Sequence, residues 1–120
     1  MAKILVVDDV QTDREILGKV VSKLGHSPVY AADGVQALTA ARESQPALIL
    51  LDVVMPEMDG FKVCRTLKAD PATAKIPIVL VTSKGGESDK FWGKKQGADD
   101  HVGKPYTFQA MEAVIRRYAR

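Results

Sequence analysis

An unbroken apolar run, Ala47-Leu48-Ile49-Leu50-Leu51, ends in the acid Asp52. Five apolar residues without polar alternation describe a strand buried on both faces, as at the centre of a parallel sheet. A buried helix could carry the same run, but Gln45-Pro46 before it and Met55-Pro56 after it leave too little length. Open α/β sheets place their chemistry beyond the carboxyl ends of their strands. The run therefore delivers Asp52 to the functional edge of such a sheet.

The rest of the chain repeats a strand–helix alternation around this run. Ile4 to Val7 is a β-branched-rich strand that stops at Asp8-Asp9. Thr12 and Glu15 have the spacing of a capping box for a first helix, with Ile16, Leu17, Val20, Val21 and Leu24 as its apolar face and Gly25 as its stop. Pro28 to Ala31 reads as a short edge strand. Asp33-Gly34 opens a second helix, with Val35, Leu38 and Ala41 inward. After the loop from Val53 to Asp59, Gly60 leads into a third helix that buries Phe61, Cys64 and Leu67 and ends at Asp70-Pro71.

A fourth strand, Ile78 to Val81, stops at Thr82-Ser83. Lys84-Gly85-Gly86-Glu87 is a pliable junction. The polar helix that follows, roughly Ser88 to Gln96, offers only Phe91 and Trp92 as large apolar surface. A brief strand, His101-Val102, leads to Gly103-Lys104-Pro105, and Thr107 caps a last helix striped by Phe108, Met111, Val114, Ile115 and Tyr118. The pattern predicts an α/β fold: a doubly wound, five-stranded parallel sheet with five helices. The most apolar strands (first, third and fourth) belong at the centre, which favours the flavodoxin-like order 2-1-3-4-5.

Composition narrows the function classes. With 120 residues, 46% hydrophobic and 27% charged, the chain is expected to be a single domain over 1–120 with no output domain. A net charge of +2 gives no case for nucleic acid. The first apolar run is far shorter than the ~20 residues a bilayer needs, so no membrane insertion is expected. Lone Cys64 suits a reducing, cytoplasmic setting and reads as a small core residue. The first turn has no Gly-x-Gly-x-x-Gly, which disfavours a nucleotide-phosphate cradle there.

In a parallel sheet all carboxyl ends share one edge. Asp8 and Asp9 end strand one, Asp52 strand three, Thr82 strand four, and Lys104 follows strand five. Crowding carboxylates is unfavourable by about 4 kcal/mol per pair at ~4 Å with an effective dielectric of ~20. A divalent cation relieves this, and an all-oxygen ligand set suits Mg²⁺. Calcium-loop spacing fails, because Asp8-Asp9-x-x-x-Asp13 lacks the alternating acids and central glycine. Such a site fits phosphoryl transfer, with Asp52 as nucleophile, Asp9 as direct metal ligand and Asp8 acting through water. Thr82 and Lys104 suit contacts to the phosphoryl oxygens.

Over its whole length the chain resembles the response-regulator receiver domains of the chemotaxis CheY type. Asp8-Asp9, Asp52 followed by Met55-Pro56 and Asp59-Gly60, Thr82-Ser83 and Lys104-Pro105 carry the likeness. Lys84, Asp89-Lys90, Trp92-Gly93-Lys94 and Gln96-Gly97-Ala98 further resemble PilH-like regulators of twitching motility. The resemblance implies a stand-alone response regulator phosphorylated on Asp52 by a histidine kinase. It also implies Mg²⁺ on Asp9, Asp52 and the Val54 carbonyl, and a cis bond between Lys104 and Pro105. Thr82 would act as a switch that shifts the polar helix. The partner face for a downstream motility protein is then expected at Lys90, Trp92, Lys94 and Lys95, on a monomer or weak dimer. Alternatives are an aspartyl-phosphate phosphatase or phosphotransferase, a phosphate sink for another regulator, and a flavodoxin-type binding module.

Two positions depart from the family pattern. His101 stands where an aromatic switch residue is usual, which ties any inward swing to its own protonation. Val54 is apolar and cannot orient an attacking water. A phosphoaspartate at Asp52 should therefore persist, and Val54→Asn should shorten its lifetime, measured as decay of the phosphorylated mass.

Overall fold

A computed structural model describes residues 2–55, 58–83 and 96–119. In chain order the elements are β1 (Lys3–Val7), α1 (Gln11–Lys23), β2 (Ser27–Ala31), α2 (Gly34–Ser44), β3 (Leu48–Leu51), α3 (Gly60–Ala69), β4 (Ile78–Thr82), β5 (Asp100–Gly103) and α4 (Phe108–Tyr118). The strands form one sheet in the order β2-β1-β3-β4-β5, and each neighbouring pair is parallel. The expected strand order is therefore the observed one. The four helices belong to the described residues. The expected polar helix and the Lys84–Gly86 junction lie outside the described residues, apart from Gln96 at the helix's far end.

Alternation along the central strands divides the core into two layers. Leu5, Val7, Ile49, Leu51, Ile78 and Leu80 pack with Ala37 and Ala41 of α2 and Val63, Cys64 and Leu67 of α3. Ile4, Val6, Leu48, Leu50, Val79 and Val81 pack with Leu17 and Val21 of α1 and Met111 and Ile115 of α4. Both faces of β3 are thus covered, which is why its sequence shows no polar alternation. Cys64 is fully buried in the first layer. Burial pushes its thiol up to about 11, with Lys68 pulling down and Asp99 pushing up, so little thiolate exists near neutral pH.

Helix starts follow local chemistry. Asp33, Asp59 and Thr107 each accept a hydrogen bond from a backbone N–H of the first turn, at 2.8, 2.9 and 3.0 Å. Gly25 follows α1 at φ 88°, a left-handed conformation that ends the helix without a Cβ penalty. The Thr12–Glu15 capping box does not form. Val10 occupies the N-cap without a side-chain bond. Asp8 Oδ1 accepts from the Val10 N–H at 2.9 Å and tightens the turn. The chain then enters the helix at Gln11, and Thr12 is already inside it.

Two inward assignments also change. Ile16 is 52% exposed and Val35 63%. On a helix turning about 100° per residue, Leu17 and Val21 define one face, and Ile16 is rotated off it. Val35 lies about 200° from Ala37, so it points away from the Ala37–Ala41 face. Phe61 is partly buried and packs against the core as expected, with Val63 fully buried beside Cys64 and Leu67. No helix among the described residues is long and apolar enough to cross a membrane.

Close backbone approach fixes the entry to α3. A Cβ on Gly60 would overlap the Asp52 carbonyl oxygen and lie 2.7 Å from Val53 Cα. The Gly60 N–H donates to the Val53 carbonyl at 2.9 Å. Backbone cannot yield as a flexible side chain can, so Gly60→Ala should lower unfolding stability by about 2 kcal/mol or more. Gly18→Ala meets only the end of Tyr30, itself 48% exposed. In chemical denaturation it should therefore lose clearly less.

Candidate functional site

The register of the sheet assembles the site. Val7 pairs with Leu51, so Asp8 and Asp52 leave adjacent strands at one level. The Asp52 N–H donates to the Val7 carbonyl at 2.9 Å. On the other flank Leu51 pairs with Leu80, and β4 continues to the buried Thr82. Thr82 pairs with Gly103, and the Lys104 N–H donates to the Thr82 carbonyl at 2.9 Å. The Lys104–Pro105 peptide is cis.

These placements bring the Lys104 ammonium into a group of acids. Nζ lies 2.7 Å from Asp8 Oδ2, 3.2 Å from Asp13 Oδ2 and 3.8 Å from Asp52 Oδ2. One carboxylate oxygen from each of Asp8, Asp9 and Asp52 lies within 4.8 Å of the other two. Asp8 and Asp52 are buried, whereas Asp9 is exposed. Each Asp8 oxygen has a partner: Oδ1 accepts from the Val10 N–H and Oδ2 from Lys104. Asp52 Oδ1 accepts from the Val54 N–H at 3.2 Å.

The electrostatics follow from burial and from crowding. Burial is the main force pushing the Asp52 carboxyl up, from the ordinary 3.8 to about 6. Lys104 pulls it back, Asp8 and Asp9 push it up further, and the Val54 N–H pulls it down. Burial alone would lower the Lys104 ammonium, but its bond to Asp8 and the charges of Asp52 and Asp8 outweigh this and raise it. The amine is therefore a fixed cation. One ammonium does not neutralise the carboxylates around it, and this uncompensated all-oxygen set fits Mg²⁺.

Several groups at the site escape a motif-level reading. Asp13 binds Lys104, and the Arg14 guanidinium donates to the Asp8 carbonyl at 2.8 Å. Asp13, Ile16, Tyr106 and Lys104 line a cavity of about 460 Å³ beside the acids. A helix beginning at Gln11 puts Asp13 in its first turn, where it meets Lys104 of strand five's loop; a partner 91 residues away leaves no local sequence signal. His101 sits on β5 opposite Leu80, half-buried. Val54 is 50% exposed. Lys90, Trp92, Lys94 and Lys95 lie outside the described residues.

Fold and site together define a doubly wound α/β domain whose strand ends hold a buried carboxylate between further acids and a lysine. The response regulator receiver domain model matches residues 4–116. Protein PilH of Pseudomonas aeruginosa is 43% identical over 115 residues, which span 96% of this chain and 95% of that protein. The probable transcriptional regulator ycf27 of Cyanophora paradoxa is also 43% identical, over 98% of this chain and 48% of that protein. Chemotaxis protein CheY4 of Vibrio cholerae superposes with a TM-score of 0.93 at 30% identity, covering 98% of each chain. The chain belongs to the response regulator receiver domain family.

A raised carboxyl pKa links the site to stability. Between 3.8 and about 6 the folded protein keeps a proton on Asp52 that the unfolded chain has released. Stability contributed by that proton is lost as pH rises through this window. The full penalty, about 3 kcal/mol at ~1.4 kcal/mol per unit, is present above it. Asp52→Asn should therefore stabilise the metal-free protein near neutral pH, by about 1–3 kcal/mol. Denaturant unfolding should show the gain vanish in acid, below the ordinary carboxyl range, and shrink when Mg²⁺ is added to both proteins.

Proposed function

We propose that this chain is a phosphorylation switch: Asp52 accepts a phosphoryl group from the phosphohistidine of a histidine kinase. The observation that carries this reading is the Lys104 ammonium, 3.8 Å from Asp52 and hydrogen-bonded to Asp8 at 2.7 Å. The Asp52 carboxylate attacks phosphorus as the P–N bond to the donor imidazole breaks, and the electron pair leaves on that nitrogen. Lys104 and the Thr82 hydroxyl receive the phosphoryl oxygens. Mg²⁺, held by Asp9, Asp52 and the Val54 carbonyl with Asp8 acting through water, supplies neutralisation of phosphoryl charge when bound. The chain turns over no external substrate and catalyses only its own phosphorylation and dephosphorylation.

Phosphorylation draws Thr82 toward the new charge, and His101 on the neighbouring strand swings inward behind it. The surface of β5 and α4 then engages a downstream partner, together with Lys90, Trp92, Lys94 and Lys95, which lie outside the described residues. The likeness to PilH over nearly the whole of both chains supports a motility or chemotaxis-type pathway in the cytoplasm.

Incubation with acetyl phosphate and Mg²⁺ should add one phosphoryl group, mapped by mass spectrometry to Asp52. Asp52→Asn, or chelation of the metal, should abolish the adduct. A wild-type protein that gains none would overturn the reading. The His101 ring signals in NMR should move on activation, and an unchanged ring environment would remove that residue from the switch.

A further inference from the structure

Lys104 is divided between two anchors on one side and the phosphoacceptor on the other. Asp8 is the family's acid at the end of β1. Asp13 is a different matter: it stands in the first turn of α1, and its Oδ2 lies 3.2 Å from Nζ. Asp52 Oδ2, at 3.8 Å, is beyond hydrogen-bonding distance. An ammonium has three N–H donors, and two of them are spent on Asp8 and Asp13.

The two anchors differ in how firmly they hold. The Asp8 side chain is 5% exposed and also bonded to the Val10 N–H, so it is fixed in place. The Asp13 side chain is 41% exposed and its bond is longer. Water can replace Asp13 at modest loss, as at other half-exposed ion pairs. A dianionic phosphoryl group on Asp52 presents a stronger acceptor to the same ammonium. The Asp13–Lys104 contact is thus the weaker link, and it opposes any shift of Nζ toward Asp52.

We infer that Asp13 is a positioning residue that acts through Lys104: it holds the ammonium on the α1 side and biases the domain toward its unphosphorylated state. The inference rests on the phosphoacceptor reading of Asp52. It extends that reading by placing control of the switch in the first turn of α1. When the phosphoryl group arrives, Lys104 keeps Asp8 and turns from Asp13 to the new oxygens. Removing the Asp13 charge then favours the phosphorylated form without altering any group that touches the phosphoryl donor.

Beryllofluoride, a phosphoryl mimic, tests this with Mg²⁺ present and calorimetry as the readout. A half-exposed pair of this kind corresponds to about a threefold change in binding. Asp13→Asn should bind beryllofluoride about threefold tighter than wild type, and Asp13→Glu should restore wild-type affinity. In a Lys104→Met background the Asp13→Asn effect should disappear. An effect that persists there would show a general loss of negative charge rather than action through Lys104, and would overturn the inference. Equal affinity of wild type and Asp13→Asn would also overturn it, whereas a wild type that binds no beryllofluoride would instead defeat the phosphoacceptor reading itself. Thermal unfolding of Asp13→Asn in the absence of Mg²⁺ and mimic should stay cooperative, with a midpoint lower than wild type's by no more than a few degrees, as loss of one half-exposed ion pair requires.

Discussion

One ammonium holds the functional edge together. Lys104 Nζ reaches residues that are 52, 91 and 96 positions away in sequence, and it draws together the ends of β1, β3 and β5 with the start of α1. Without it, the carboxylates of Asp8 and Asp52 would face each other inside a partly desolvated hollow, where like charges repel far more than in water. With it, the arrangement is tolerable yet still short of positive charge, and Asp52 keeps a raised carboxyl pKa. That residual imbalance suits the acids to a divalent cation. The site is therefore a deliberately incomplete charge network, supported by a sheet whose core has no such deficit.

A second, complete network stands at the opposite edge of the sheet. Lys68 Nζ donates to the carbonyls of Ala74 and Ile76 and to Asp99 Oδ2. The same Asp99 oxygen accepts from the Ile78 N–H at 2.8 Å, and the Tyr118 hydroxyl bonds the Asp99 carbonyl and Asp100. These bonds fasten α3, the amino ends of β4 and β5, and the end of α4. Here each charge has its partners, so the geometry is pinned. The contrast between a satisfied edge and an unsatisfied one sets the candidate site at the carboxyl end, where open parallel sheets generally carry their chemistry.

Much of this was legible in the residues. The uninterrupted Leu48–Leu51 run reveals a strand covered on both faces, because only double burial removes the polar alternation. Strand order follows from relative apolarity: β2 and β5, the weak strands, are the edges. The gathering of Asp8, Asp9, Asp52 and Lys104 follows from topology alone, since parallel strands put all their carboxyl ends together. What failed was local. Ile16 and Val35 are apolar and helical, yet a rotation of one or two residues puts them outside, and single-residue phase is beyond the resolution of a hydrophobic pattern. Asp13 escaped for a different reason: its partner lies 91 residues later in the chain, and no local pattern marks that contact.

The central claim is that burial and neighbouring acids raise Asp52 while Lys104 restrains the rise. Carbon NMR of the Asp52 side-chain carboxyl, followed through a pH titration of the metal-free protein, tests it most directly. The expected midpoint is about 6, and it should climb further in Lys104→Met. A midpoint in the ordinary carboxylate range that ignores the loss of Lys104 would contradict the account.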